Sequence, residues 1–158
     1  MKLFLTIALL LGFSSACTAQ QKETSPHPFD KELAEKLGAD EYGMKPYLLV
    51  ILKTGPKDKE ITDQQQRAEL FKGHFANMAR MQEEGKLKLA GPFSTKNHLG
   101  YRGIFLLDTT SKEEAKTLLS EDPTIAGGIF EVELLPWYGS AAIETHLDVH
   151  SKIAKKNP

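Results

Sequence analysis

The sequence predicts an α+β domain in which helices cover one face of a four-stranded antiparallel sheet. Three observations support this prediction. Runs typical of strands occur four times after residue 45, two amphipathic segments with helix-capping residues separate them, and the resulting order is β-α-β-β-α-β. Right-handed crossovers in this split order place both helices on the same face of the sheet. The predicted architecture is therefore the ferredoxin-like fold, with the other sheet face uncovered.

Length and composition are those of one globular domain with extensions. The chain has 158 residues, of which 41% are apolar and 26% are charged, and its formal net charge is -1. Nucleic-acid binding needs a concentrated basic surface, which this charge balance does not indicate. We therefore expect no nucleic-acid partner. No nucleotide, flavin or haem motif is visible either, so we expect cofactor-independent chemistry.

Residues 1–19 have the pattern of a secretory signal peptide. Lys2 precedes an apolar run of eleven residues, which is shorter than the ~20 residues of a membrane-spanning helix, and small residues follow it. Cleavage after Ala19 would leave a soluble protein, whereas cleavage before Cys17 would leave a cysteine for lipidation. Cys17 is the only cysteine, and a lone thiol is a liability in an oxidising compartment. We expect an exported protein, either in the bacterial periplasm or tethered to the outer membrane through Cys17.

Residues 20–45 are predicted to form a polar linker that contains one short helix. The segment is rich in polar residues and proline, which cannot bury enough apolar surface to order a chain. Asp30 is a suitable N-terminal cap, and Gly38 stands where a helix commonly ends, so two helical turns are expected between them. The compact domain is predicted at residues 46–138.

The first strand and the first long helix of this domain have distinct patterns. The apolar run at 46–53 is continuous, as in a central strand covered on both sides. Thr62 and Gln65 have the spacing of a capping box, and Gly85 is expected to end the helix that begins there. The helix carries a stripe of apolar side chains at helical spacing that would cover the sheet; its members are Leu70, Phe71, Phe75, Met78 and Met81.

The second half of the domain repeats these signals. Residues 86–89 alternate in polarity and residues 101–108 supply the next strand after a polar loop. Ser111 and Glu114 form a second capping box, and Pro123 is expected to stop the helix that follows.

The last predicted strand, 129–137, leads into a tail at 139–158 that is expected to be helical. Alternation places Phe130 and Val132 on one face of the strand and Trp137 on the other. A four-stranded sheet with an uncovered apolar face usually pairs with another such face, so a homodimer is expected.

His74 is the strongest candidate for chemistry. It lies inside the apolar stripe of the first long helix, about 60° around the axis from Phe71. A histidine in that position is either a core residue satisfied by a backbone carbonyl or a functional group. Spacing alone favours the core residue. Asp122, which precedes Pro123, is by itself typical of a turn.

Gly91-Pro92, Asp122-Pro123 and the ending Glu-Val-Glu-Leu-Leu-Pro-Trp at 131–137 together resemble the YCII-related domain family. In that family a histidine in the first helix and an aspartate after the second are the proposed acid–base pair of a cleft. His74 and Asp122 match those positions. The resemblance implies that His74 is a catalytic base and that Asp122 orients it.

The same resemblance implies a small-molecule ligand in the cleft. Gly91, Pro92, Phe93 and Tyr101 would form its walls, although most Gly-Pro pairs are ordinary turns. Relatives in aromatic degradation and the similarity of the fold to muconolactone isomerases imply lyase, isomerase or dehalogenase chemistry, which is an analogy at the level of fold. The alternative is a non-catalytic module of the cell envelope that binds a small ligand or a protein.

His146 and His150 invite a metal interpretation, because histidines four residues apart share one face of a helix. Spacing supplies no third ligand, and paired polar residues on an exposed helix are mostly solvated. We therefore predict no metal site.

Overall fold

The computed structural model describes residues 27–156 and contains four strands and five α-helices in that range. The strands are β1 (Met44–Thr54), β2 (Leu87–Pro92), β3 (Tyr101–Leu107) and β4 (Phe130–Ser140). The helices are α1 (Lys31–Leu37), α2 (Gln64–Glu83), α3 (Lys112–Ser120), α4 (Pro123–Ala126) and α5 (His146–Ile153), with a 3-10 turn at Ala141–Thr145. The predicted signal peptide, Cys17 and the start of the linker lie outside the described residues.

The strands form one antiparallel sheet in the order β2-β3-β1-β4. This order and the succession of elements confirm the predicted ferredoxin-like α+β fold. β1 pairs on both edges, and side chains on both of its faces are buried, Tyr47 and Ile51 on one and Leu48 and Val50 on the other, which explains its continuous apolar run. In the described part of the chain, no helix has both the length and the apolar character needed to cross a membrane.

The core lies between the sheet and helices α2 and α3. Alternate residues of β1 point into it, and helical side chains pack against them. Its members include Leu48, Val50 and Leu52 from the sheet and Met81, Leu118 and Leu119 from the helices.

The capping box predicted at Thr62 is wrong by one residue. Asp63 caps α2 instead, because its carboxylate accepts a hydrogen bond from the Gln66 amide at 2.7 Å, and aspartate is a stronger N-cap than threonine. Gly85 follows the last turn with a φ of 69°, as expected of a residue that ends a helix.

The second predicted helix is α3, and a short helix that was not predicted follows it. Ser111 caps α3 as predicted, accepting from the Glu114 amide at 3.1 Å, and α3 ends at Ser120, before Pro123. Pro123 then begins α4 with Asp122 as its N-cap. Proline suits the first helical position because its missing N–H would have no partner there.

The C-terminal tail lies against the sheet. β4 continues to Ser140, so the prediction that the strand ends at 137 is wrong; its last residues pair with β1 down to Met44. Glu144 then bonds Lys45 at 3.1 Å and Lys88 at 2.5 Å. Lys45 and Tyr47 share the face of β1 opposite Leu48. The tail therefore covers part of the face that the helices leave open.

Candidate functional site

A cavity of about 380 Å³ opens between α2 and the sheet. Most of its lining is apolar. Five phenylalanines line it, of which four lie on α2 and the strands and one, Phe93, lies in the β2–β3 loop. The residues are Leu52, Phe71, His74, Phe75, Met78, Ala90, Gly91, Pro92, Phe93, Arg102, Gly103, Phe105 and Phe130. His74 and Arg102 are the ionisable members of this lining. An apolar pocket with a few polar groups is the usual form of a small-ligand site.

His74 and Asp122 are in direct contact behind the cavity wall. His74 Nδ1 lies 2.6 Å from Asp122 Oδ2, His74 is 7% exposed and Asp122 is fully buried. Asp122 Oδ1 accepts hydrogen bonds from the Thr124 hydroxyl at 2.7 Å and from the Thr124 amide at 2.9 Å. The carboxylate is thus fully engaged by neighbouring donors.

The hydrogen bonds of Asp122 determine which nitrogen of the His74 imidazole carries the proton. Burial alone would raise the pKa of Asp122, but the hydrogen bonds from His74 and Thr124 hold that pKa below its ordinary value of 3.8. A carboxylate only accepts hydrogen bonds, so the imidazole proton sits on Nδ1. Nε2 has no hydrogen-bond partner among residues 27–156. It is therefore the nitrogen available to accept a proton from a ligand.

Four aromatic rings hold the imidazole in place. The ring centroids of Phe71, Phe75, Phe105 and Phe130 lie 5.4–6.0 Å from that of His74. The Phe105 ring is stacked on it at 24°. Such contacts restrict the ring rotamer and exclude water from one side of the site.

The close approach of α2 to α4 brings the two residues together. A Cβ on Gly73 would lie 2.5 Å from Cγ of Pro123, so a larger residue at 73 would push the elements apart. Gly73 directly precedes His74, and Pro123 directly follows Asp122. The glycine and the proline therefore set the distance at which the histidine meets the carboxylate.

The predicted wall residues lie along two neighbouring cavities. β2 ends at Gly91-Pro92 beside the His74 cavity, and Phe93 lines it too. Tyr101 is not among the residues that line the His74 cavity. Its side chain lines an adjoining cavity of about 540 Å³ and packs on Phe93 at 6.2 Å.

A β-bulge causes this difference. Leu52 pairs with Gly103 and Lys53 pairs with Tyr101, which leaves Arg102 as an extra residue on β3. A bulge redirects the side chains next to it. Arg102 therefore lines the His74 cavity instead of lying on the opposite face of the sheet.

Sequence reasoning missed two residues of the site, Thr124 and Arg102. The spacing of Asp122 and Thr124 fits an aspartate that caps a helix starting at Pro123, and that signal was available. The bulge that directs Arg102 has no signal in the local pattern, because its position depends on pairing with β1.

The histidines of α5 stack on each other at 5.6 Å. Among residues 27–156 no three histidine, cysteine or acidic side chains are grouped so that they could hold a metal ion.

Comparison with known proteins gives three findings. The model of the YCII-related domain family matches residues 47–138. The uncharacterized protein YjpA of Bacillus subtilis (strain 168) is 34% identical over 65 residues, which are 41% of this chain and 72% of YjpA. A 5-chloro-2-hydroxyhydroquinone dehydrochlorinase from Burkholderia phenoliruptrix, solved with 2,5-dihydroxybenzoquinone, is 18% identical, with a TM-score of 0.41 over 57% of this chain and 92% of the other. A likeness of that size supports no argument about chemistry.

Proposed function

Because the chain belongs to the YCII-related domain family, we propose that it performs cofactor-independent acid–base chemistry on a small organic molecule bound in the His74 cavity. His74 is the catalytic base and Asp122 is the residue that positions it. The reaction class is that of a lyase, an isomerase or a dehalogenase. The observation that carries this proposal is the buried 2.6 Å contact between His74 Nδ1 and Asp122 Oδ2, which leaves Nε2 to face a ligand.

The proposed step is a proton abstraction. Nε2 takes a proton from an acidic C–H or O–H group of the ligand, and the electron pair left behind forms a new double bond. In an elimination, a leaving group departs with its own electron pair. In an isomerisation, the imidazolium returns the proton to a different atom. Asp122 stabilises the imidazolium in both cases without taking up the proton.

Hydrogen–deuterium exchange tests this proposal without knowledge of the product. Small phenols and organic acids incubated with the protein in D2O should gain deuterium at carbon, as read by NMR or mass spectrometry. His74→Gln should slow that exchange by about 10²–10⁴-fold, the usual contribution of a general base. His98→Gln, at an exposed histidine of the β2–β3 loop, is the matched control and should exchange as the unaltered protein does.

The opposite result has a definite meaning. If compounds bind in the cavity but neither exchange nor react, the protein is a binding module and His74 only contacts the ligand. If His74→Gln exchanges at the unaltered rate, another base acts and the role assigned to His74 is wrong.

We also propose that the protein is exported, because residues 1–19 have the pattern of a secretory signal peptide.

We further propose that the protein forms a homodimer through the uncovered part of its sheet. Leu135 and Trp137 lie on that face and are each 39% exposed. Trp137 packs on Tyr47 with ring centroids 5.8 Å apart. Apolar side chains grouped on one face favour pairing with a second copy. Light scattering should give twice the monomer mass, and a monomer at micromolar concentration would contradict the dimer.

A further inference from the structure

Two arginines share one carboxylate beside the His74 cavity. Asp58 Oδ1 accepts from Arg67 Nη2 at 2.8 Å, and Arg67 Nη1 donates to the carbonyls of Asp58 and Ile61 at 2.8 and 3.1 Å. Arg102 Nη1 lies 3.6 Å from Asp58 Oδ2, which is beyond hydrogen-bond length. Two cations against one anion leave a net positive charge at this place.

The guanidinium of Arg102 has unused hydrogen-bonding capacity. Arginine carries five N–H donors, and within residues 27–156 none of those of Arg102 makes a hydrogen bond to the protein. Its carbon lies 5.4 Å from the ring centroid of Phe130, which orients the group by contact with an aromatic face. The group is therefore charged and oriented, and it can donate to a ligand.

His74 and Arg102 are close enough to contact one small ligand. Phe130 touches both, since its ring centroid lies 5.6 Å from that of His74 and 5.4 Å from the Arg102 guanidinium carbon. The cavity that contains both residues, at about 380 Å³, is near the lower end of ligand pockets. A molecule with a single ring suits it better than a larger one.

The polarity of the surroundings sets the orientation of that molecule. Phenylalanines surround His74, whereas Arg102 also borders the adjoining cavity, whose lining includes Ser94, Thr95 and Lys96. An apolar ring is favoured at the first end and an anionic substituent at the second.

We infer that the ligand is a small aromatic acid whose carboxylate is held by Arg102 while its ring lies beside His74. This inference rests on the proposed function in using the same cavity, and adds the ligand class and a residue that determines specificity. A planar guanidinium binds a carboxylate through two parallel hydrogen bonds. The carboxylate of the ligand would neutralise the positive charge of Arg67 and Arg102, which Asp58 neutralises only in part.

Paired probes test this inference. Binding of 4-hydroxybenzoate and its neutral amide, 4-hydroxybenzamide, is measured by NMR titration on the unaltered protein and on Arg102→Gln, Arg102→Lys and Lys72→Gln. The unaltered protein should prefer the benzoate on the order of tenfold, the effect of one charge-assisted contact. Arg102→Gln should abolish the preference, and Arg102→Lys should keep part of it. Lys72→Gln, which removes an exposed charge elsewhere on α2, should leave it unchanged.

Three results would overturn the inference. They are equal binding of the two probes by the unaltered protein, an undiminished preference in a folded Arg102→Gln variant, and no binding of either probe at millimolar concentration. His74→Gln separates this inference from the proposed function. If it keeps the preference for the benzoate while the unaltered protein shows no proton exchange on any compound, the ligand class stands and the acid–base reaction fails.

Discussion

Asp122→Asn should reduce proton exchange by about 10²–10⁴-fold while leaving the fold intact. The asparagine carbonyl can still accept the two hydrogen bonds from Thr124, which turns its NH2 group toward His74. Two donors would then face each other, so the imidazole must move its proton from Nδ1 to Nε2. A protonated Nε2 cannot accept a proton from a ligand. Nitrogen NMR of the imidazole, read together with the exchange rate, would detect this tautomer change.

The same substitution should lower the free energy of unfolding by about 1 kcal/mol at neutral pH, because the charge-assisted hydrogen bond between carboxylate and imidazole is replaced by a weaker neutral one. The folded-state pKa of Asp122 lies below its ordinary value of 3.8, so the contribution of the carboxylate is complete above that value. It is lost as the pH falls through the folded-state pKa. The stability deficit of Asp122→Asn should therefore shrink in acid, as measured by urea denaturation across the acidic range.

Asp63→Asn is the matched control for both measurements. Asp63 also caps a helix through a backbone amide, it is exposed, and asparagine caps about as well as aspartate. It should change neither exchange nor stability appreciably. An unchanged exchange rate in Asp122→Asn would show that the carboxylate does not position the base.

Gly73→Ala should impair proton exchange more than it impairs folding. The new methyl group would meet Cγ of Pro123 at 2.5 Å, and relieving that overlap separates α2 from α4. Overpacking typically costs about 1–3 kcal/mol, part of which is offset because alanine favours a helix over glycine by about 1 kcal/mol. A shift of about 1 Å between His74 and Asp122 can lower a rate by about 10²-fold. Thermal unfolding and deuterium exchange would measure the two effects.

Pro123→Ala provides the control for this prediction, since it removes the ring atoms that the new methyl group would strike. The double variant Gly73→Ala, Pro123→Ala should recover much of the exchange rate that Gly73→Ala loses, giving a non-additive cycle. Additive losses would show that the glycine matters for a reason other than its contact with Pro123.

The fold was predictable because the spacing of apolar residues along the sequence indicates which faces of a strand or helix are buried. The continuous run of β1 and the alternation of β4 follow directly from which faces are covered. The ends of elements were less predictable, since the competition between Thr62 and Asp63 as helix caps is decided by small energies. The extension of β4 to Ser140 depends on its partner Met44, which no local pattern reveals.

The candidate site was predictable only in part. His74 stood out because an apolar stripe seldom contains an imidazole, and the family resemblance singled out Asp122. Spacing alone favoured a core histidine and a turn aspartate, because it gives no distance between residues far apart in the chain. The role of Gly73 depends on such a distance, and so does the direction of Arg102.

The side chain of Arg102 can change without disturbing the sheet, because the bulge takes residue 102 out of the pairing with β1, and its carbonyl, which accepts a hydrogen bond from the Phe93 amide at 2.9 Å, belongs to the backbone. Lys53–Tyr101 and Leu52–Gly103 are complete pairs without residue 102, so the ladder between β1 and β3 does not need it. Replacement of that one side chain by a neutral one would keep the backbone bond to Phe93 and the pairing with β1, and would leave a cavity without its cation. Descendants of one ancestral gene could thus exchange acidic for neutral ligands in a single evolutionary step while keeping the same fold.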